Sequence, residues 1–191
     1  TPLYVRGEAD MRAIQAAQER QQTVIGVLLR NAEDGTLSLE NAYPIATEMA
    51  LGRMMHLPEG DTTVLAQGRR RVELVELAET DGLLRARARP LSETVEPLRD
   101  ITALRRAVLN LFQRCVELSP DLPEEAYIYA LNIEEPGWLA DLIASSLNLD
   151  ADERREALQM ADAVERLRWI STVLGREVEM LELEDKIQMQ V

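Results

Sequence analysis

The 191-residue sequence predicts an α+β protein of two lobes, a β-rich lobe followed by a helical bundle that ends in a long helix. Three observations carry this. Up to about residue 92, short apolar or alternating runs are separated by turn signals. Beyond the prolines at 90 and 97 the apolar residues recur three or four apart. From Asp162 that spacing runs without a stop signal to Val191, about thirty residues, which is long for a globular helix.

In the first lobe, TPLYV reads as a short strand, and EADMRAIQAAQERQQ as a helix with Met11, Ile14 and Ala17 at helical spacing. TVIGVLLR is apolar and β-branched, a buried-type strand. NAEDGTLSLEN is a polar loop, and PIATEMALGRMMHL is extended again. Leu57-Pro58-Glu59-Gly60 then makes a turn, since proline presets φ and glycine tolerates the exit. It joins the strand TTVLAQG, where Gly68 marks a bulge or bend before RRRVELVEL. Asp81-Gly82 is a tight-hairpin signal leading into LLRARARPL, with Arg85, Arg87 and Arg89 on one face and Leu84, Ala86 and Ala88 on the other.

In the second lobe, Leu98, Ile101, Leu104, Val108, Leu111, Cys115 and Leu118 form an amphipathic stripe that stops at Ser119-Pro120. PEEAYIYALN and EPGWLADLIASSLN are shorter helices, the former with proline at its first position. Asp150 with Glu153, and Asp162 with Glu165, have the spacing of a capped helix start. The last helix carries Leu167, Ile170, Leu174, Val178 and Leu181. We expect its first half to dock on the bundle and its last turns to be free or self-associated through Leu174, Val178 and Leu181. The expected boundaries are 1–94 for the β-rich lobe, 95–161 for the helical lobe and 162–191 for the long helix.

Composition removes several functions. The net charge is -13, and it is uneven: residues 1–96 hold 11 basic and 15 acidic side chains, the remainder 10 and 19. Phosphates are repelled by such a surface, so nucleic acid and anionic membranes are not expected as partners. Cys115 is the only cysteine, which excludes an intrachain disulfide and fits a reducing, cytoplasmic setting. No leader and no membrane-length apolar run is visible. The chain opens as if inside a strand and stops inside a helical pattern, as a piece of a longer protein would.

Catalytic patterns are equally absent. Neither G-x-x-x-x-G-K-[ST] nor G-x-G-x-x-G occurs. His56 is the only histidine, so no His-based metal cluster is expected, and its reading is packing or exposure. A Cys115–His56 nucleophilic pair is disfavoured because Cys115 occupies an apolar helix position. Glu124-Glu125 and Glu134-Glu135 open helices, where acids favour the positive end of the dipole. Lys186, the one lysine, stands near the end of the long helix and suits no Ser–Lys dyad. Arg69, Arg70 and Arg71 read as a solvated strand face with Glu73 and Glu76 as nearby charge partners, rather than as a basic patch. No active site and no metal site is predicted.

Three blocks resemble the amino-terminal domain of Lon, the ATP-dependent AAA+ serine protease. The first is Leu57-Pro58-Glu59-Gly60 with Val64-Leu65 and Gly68-Arg69-Arg70-Arg71-Val72. The second is Ile133-Glu134-Glu135-Pro136 with Leu139-Ala140-Asp141-Leu142-Ile143-Ala144, and the third runs from Glu165-Arg166-Leu167 to Glu182-Leu183-Glu184. They are spread in order over nearly the whole chain. Departures are Ala46 where that family has glycine, Asp61 as an extra turn residue, and no L-P-L-R-x-x-x-x-x-P strand before Thr1.

The resemblance implies a PUA-like β-barrel-type first lobe and a non-catalytic domain that captures unfolded or degron-bearing proteins. It also implies a hexameric parent whose downstream modules hold ATP, magnesium and the Ser–Lys dyad, so that this segment binds no cofactor. Exposed apolar residues suit capture of unfolded chains, and flexible methionine suits varied partners. Thr1, Pro2, Tyr4, Met54 and Met55 are the candidate substrate-binding residues. A stand-alone adaptor or ligand-binding module without protease is the alternative, and strongly salt-dependent RNA binding would mark a PUA-like RNA binder.

Overall fold

The computed structural model describes residues 1–33, 35–58, 61–92 and 99–190. The Glu59-Gly60 half of the predicted turn, the inter-lobe segment with Pro97 and Leu98, and Val191 lie outside them. The chain divides into two compact units, Thr1–Ser92 and Glu93–Val191.

The first unit contains β1 (Pro2–Val5), α1 (Glu8–Glu19), β2 (Val24–Gly26), β3 (Ile45–His56), β4 (Thr62–Thr80) and β5 (Leu83–Pro90). All pairings are antiparallel, in the order β1-β4-β3-β2, with β5 sharing with β1 the second edge of the long strand β4. Among the described residues the sheet is open, so the barrel-type lobe implied by the resemblance does not close. β2 has only three residues and pairs only with β3. The β3–β4 hairpin closes around the undescribed turn, with the Leu57 amide donating to the Asp61 carbonyl at 2.8 Å.

The arginine run sits at a change of register. Glu48 faces Arg70 and Met49 faces Gly68, so Arg69 is an extra residue on β4, a bulge next to the glycine. Skipping one residue inverts which side alternate residues take. Val64 and Ala66 are therefore buried from one side of the sheet, and Val72 and Leu74 from the other. Arg70 pairs with Glu48 on the neighbouring strand at 2.5 Å, not with Glu73 or Glu76. Those two bind Arg89 and Arg87 of β5. Hydrogen bonding from Arg70, then from Thr23, holds the Glu48 carboxyl below its usual range.

The Asp81-Gly82 turn has positive φ at both residues, 55° and 71°, as a type I′ hairpin requires. Beyond Glu73, however, β4 has lost β3 and pairs only with β5. On that two-stranded arm Leu84 and Ala86 are exposed rather than inward. Charges on such an arm protect its open edges from pairing with other chains.

The second unit is helical: α2 (Arg99–Leu118), α3 (Glu124–Leu131), α4 (Pro136–Ser146), α5 (Ala151–Gln159) and α6 (Ala163–Gln190). Pro123 stands just before α3 as its N-cap rather than at its first position, while Pro136 does open α4. Asp150 and Glu153 form the full reciprocal capping box of α5. Asp162 accepts from the amides of Val164 and Glu165, both at 2.8 Å, at the start of α6. One core holds Val108, Phe112 and Cys115 of α2, Leu139 and Ile143 of α4, and Leu167, Ile170 and Leu174 of α6.

Docking of α6 reaches well beyond its first half. Leu174 is fully buried, and Val178 and Leu181 pack partly buried against the same core. Arg114 of α2 holds Glu182 at 3.1 Å. The exposed apolar residues of α6 are instead Met180, Leu183, Ile187 and Met189. Leu174 is thus not available for self-association, because the helix turns that side to its own bundle. Among the described residues no helix is long and apolar enough to cross a membrane.

Candidate functional site

The register of the first unit brings most of the predicted surface residues together. Tyr4 of β1 faces Thr63 of β4, which faces Met55 of β3, so the three form one cross-strand row on one face. Pro2 faces Leu65, two residues along β4 and therefore on the same face. Thr63 is only 3% exposed because it lies between two large neighbours, whereas Tyr4 is 60%, Leu65 43% and Met55 42% exposed. Leu57, just beyond Met55, is exposed as well.

Two predicted residues fall elsewhere. Met54 lies in the row of Leu3 and fully buried Val64 on the opposite face, and is half-buried. Thr1 is exposed but lies opposite Ala66, exchanging main-chain bonds with it at 2.9 and 3.0 Å. Leu65 and Leu57 escaped the sequence reading. Alternation in TTVLAQG does set Leu65 against Val64 and Ala66, but which side is wet depends on the bulges. One of them lies opposite Leu65, between Leu51 and Met54. There Gly52 approaches so closely that a Cβ would stand 3.3 Å from that of Leu65.

Nδ1 of His56 is 3.0 Å from the Thr62 hydroxyl, a local pair within the β3–β4 hairpin. Among the described residues no group of three or more His, Cys, Asp or Glu is placed to hold a metal ion. In the other unit Cys115 is fully buried, its thiol 3.9 Å from the Leu174 carbonyl, and burial pushes its pKa up to about 11. The thiolate is the reacting form. Iodoacetamide is therefore expected to leave Cys115 unmodified in the native protein at pH 8 and to label it fully in denaturant. Native labelling at the denatured rate would contradict the enclosed position.

Two of the sequence blocks meet in the helical unit. Arg166, from Glu165-Arg166-Leu167, is fully buried, with Nε 3.0 Å from Oδ1 of Asp141 in the Leu139–Ala144 block. Its Nη1 donates to the Met160 carbonyl at 2.7 Å. The Arg105 side chain of α2 likewise ties down the carbonyls of Leu131, the last residue of α3, and of Ile133 just beyond it, at 2.8 to 3.0 Å. These blocks hold the bundle together.

The chain thus combines an open antiparallel sheet that exposes an apolar row with a helical bundle built on its own core. Residues 1–176 match the family described as the ATP-dependent protease La (LON) substrate-binding domain, and the chain belongs to that family. It is 38% identical over 191 residues to Lon protease 2 of Herpetosiphon aurantiacus and 35% identical over 190 residues to the Lon protease of Dictyoglomus thermophilum. Those alignments take in all of this chain but only 23% and 24% of the relatives, so the chain spans about a quarter of their length.

Solved structures show the same fold. The N-terminal domain of Mycobacterium avium complex Lon protease superposes with a TM-score of 0.73 at 19% identity, covering 94% of this chain and 89% of that one. A Lon N-terminal domain protein from Xanthomonas campestris gives 0.56 at 15% identity, covering 89% and 86%.

Proposed function

We propose that this chain is the non-catalytic recognition and assembly part of an ATP-dependent Lon protease, and that it captures unfolded or degron-bearing proteins. Their hydrolysis would fall to ATPase and Ser–Lys protease modules elsewhere in a cytoplasmic, hexameric parent, where ATP and magnesium bind. The observation that carries this reading is the exposed row Tyr4–Thr63–Met55 with Leu65 beside it. Apolar side chains displayed together on a sheet face match what an unfolded chain displays and a folded one hides. The thioether of Met55 adapts to varied sequences. Contact at one such face is weak, and six copies acting on one chain raise the avidity without any new contact. The exposed Met180, Leu183 and Ile187, three and four residues apart on α6, would serve contacts between subunits.

A labelled, permanently unfolded protein, compared with its folded form, tests capture. Binding to the unfolded form alone, little changed by salt, is expected. Tyr4→Ser with Leu65→Ser should weaken it by about tenfold, as loss of interface anchors does. Equal binding by this variant, with its melting temperature unchanged, would remove the face from the reading.

A further inference from the structure

We propose that the α3–α4 face of the helical unit is a second docking surface, and that its occupant is a cationic, apolar peptide segment. After Glu124 and Glu125 in its first turn, α3 carries only apolar and tyrosine side chains, Ala126 to Leu131. Ala130 is buried and Ala126 and Tyr127 pack against the core, yet Ile128, Tyr129 and Leu131 are exposed, Tyr129 to 67%. A helical stretch apolar all round is ordinarily enclosed. After the turn Asn132–Glu135, the packed neighbour α4 adds Trp138, 61% exposed. Tyrosine and tryptophan are the side chains most enriched at binding hot spots.

Charge identifies the occupant. Between Arg114 and Arg154 the chain has ten Asp and Glu and no Lys, Arg or His. Glu124, Glu125, Glu134 and Glu135 are all exposed on either side of the apolar residues, and none forms an ion pair among the described residues. The cation that α2 sends here, Arg105, is spent on the Leu131 and Ile133 carbonyls. A second copy would set these carboxylates against their own kind, since a two-fold contact joins like to like. Nucleic acid and anionic lipid are repelled for the same reason. A neutral apolar segment would desolvate the carboxylates with no partner in return. A segment carrying Arg or Lys beside aromatic or aliphatic residues meets both needs, with Trp138 and Tyr129 also offering π faces to the cations. This surface does not depend on the sheet face proposed above.

The test titrates the 191-residue chain with a short labelled peptide alternating Arg with Leu and Phe, read by anisotropy. The control is the same peptide with Glu in place of Arg. Binding of the Arg peptide alone, weakened by added salt, is expected. Trp138→Ala with Tyr129→Ala should weaken it by about tenfold. Glu124→Gln, Glu125→Gln, Glu134→Gln and Glu135→Gln together should remove most of the salt dependence. The Tyr4→Ser, Leu65→Ser variant should bind as the parent does, which separates this surface from the first. Undiminished binding after the Trp138 and Tyr129 substitutions, equal binding of the Glu peptide, or loss of binding in the Tyr4, Leu65 variant would each overturn the proposal.

Discussion

Asp141→Ala is expected to lower the stability of the helical unit by about 3 kcal/mol, near the lower end for removing one partner of a buried ion pair. The reason is asymmetric burial. Asp141 keeps 36% of its side chain exposed, whereas the Arg166 guanidinium, 1% exposed, would remain enclosed with its nearest carboxylate gone. For a unit of this size the melting temperature should fall by roughly 10 to 20 °C. Arg166→Met in the same chain should recover most of the loss, because an apolar side chain leaves no buried charge to compensate. Calorimetry on both single variants and the double variant completes the cycle. A double variant no more stable than Asp141→Ala alone would show that Arg166 acts mainly through the Met160 carbonyl, or by packing.

The largest loss is expected from Phe112→Ala, about 4 kcal/mol, the sum of lost transfer energy and the cavity left behind. Phe112 is the only phenylalanine and is fully enclosed in the core built by α2, α4 and α6. The urea midpoint should drop with an unchanged slope. Amide exchange should quicken across α2, α4 and α6, with the β3 and β4 amides of the other unit as internal reference. Phe112→Leu, which keeps more of the volume, should cost about 1.5 kcal/mol or less. Equal losses for the two variants would mean that the ring, rather than the filled volume, matters.

Much of this was legible in the residues. Asp150 and Glu153 announced the start of α5, Asp81-Gly82 the hairpin, and Ser119-Pro120 the end of α2, because caps and turns are decided by a few adjacent residues. The three sequence blocks also named the family that the comparisons show. The candidate surface was only half legible. Tyr4 and Met55 could be nominated from type and position, but not placed in one row, since cross-strand neighbours come from distant parts of the chain.

Element order, the change from strand to helical spacing, the acidic balance and the lack of catalytic motifs could be read from the residues alone. Those properties are local or additive. Tertiary structure alone decided which side of each strand is wet. A single extra residue at Arg69 inverts the alternation along β4, and the end of β3 leaves Leu84 uncovered although its pattern reads as inward. Likewise Leu174 belongs to the core, while Met180 and Leu183 on the same helix face water. Periodicity marks an apolar stripe, and burial requires a neighbour to cover it.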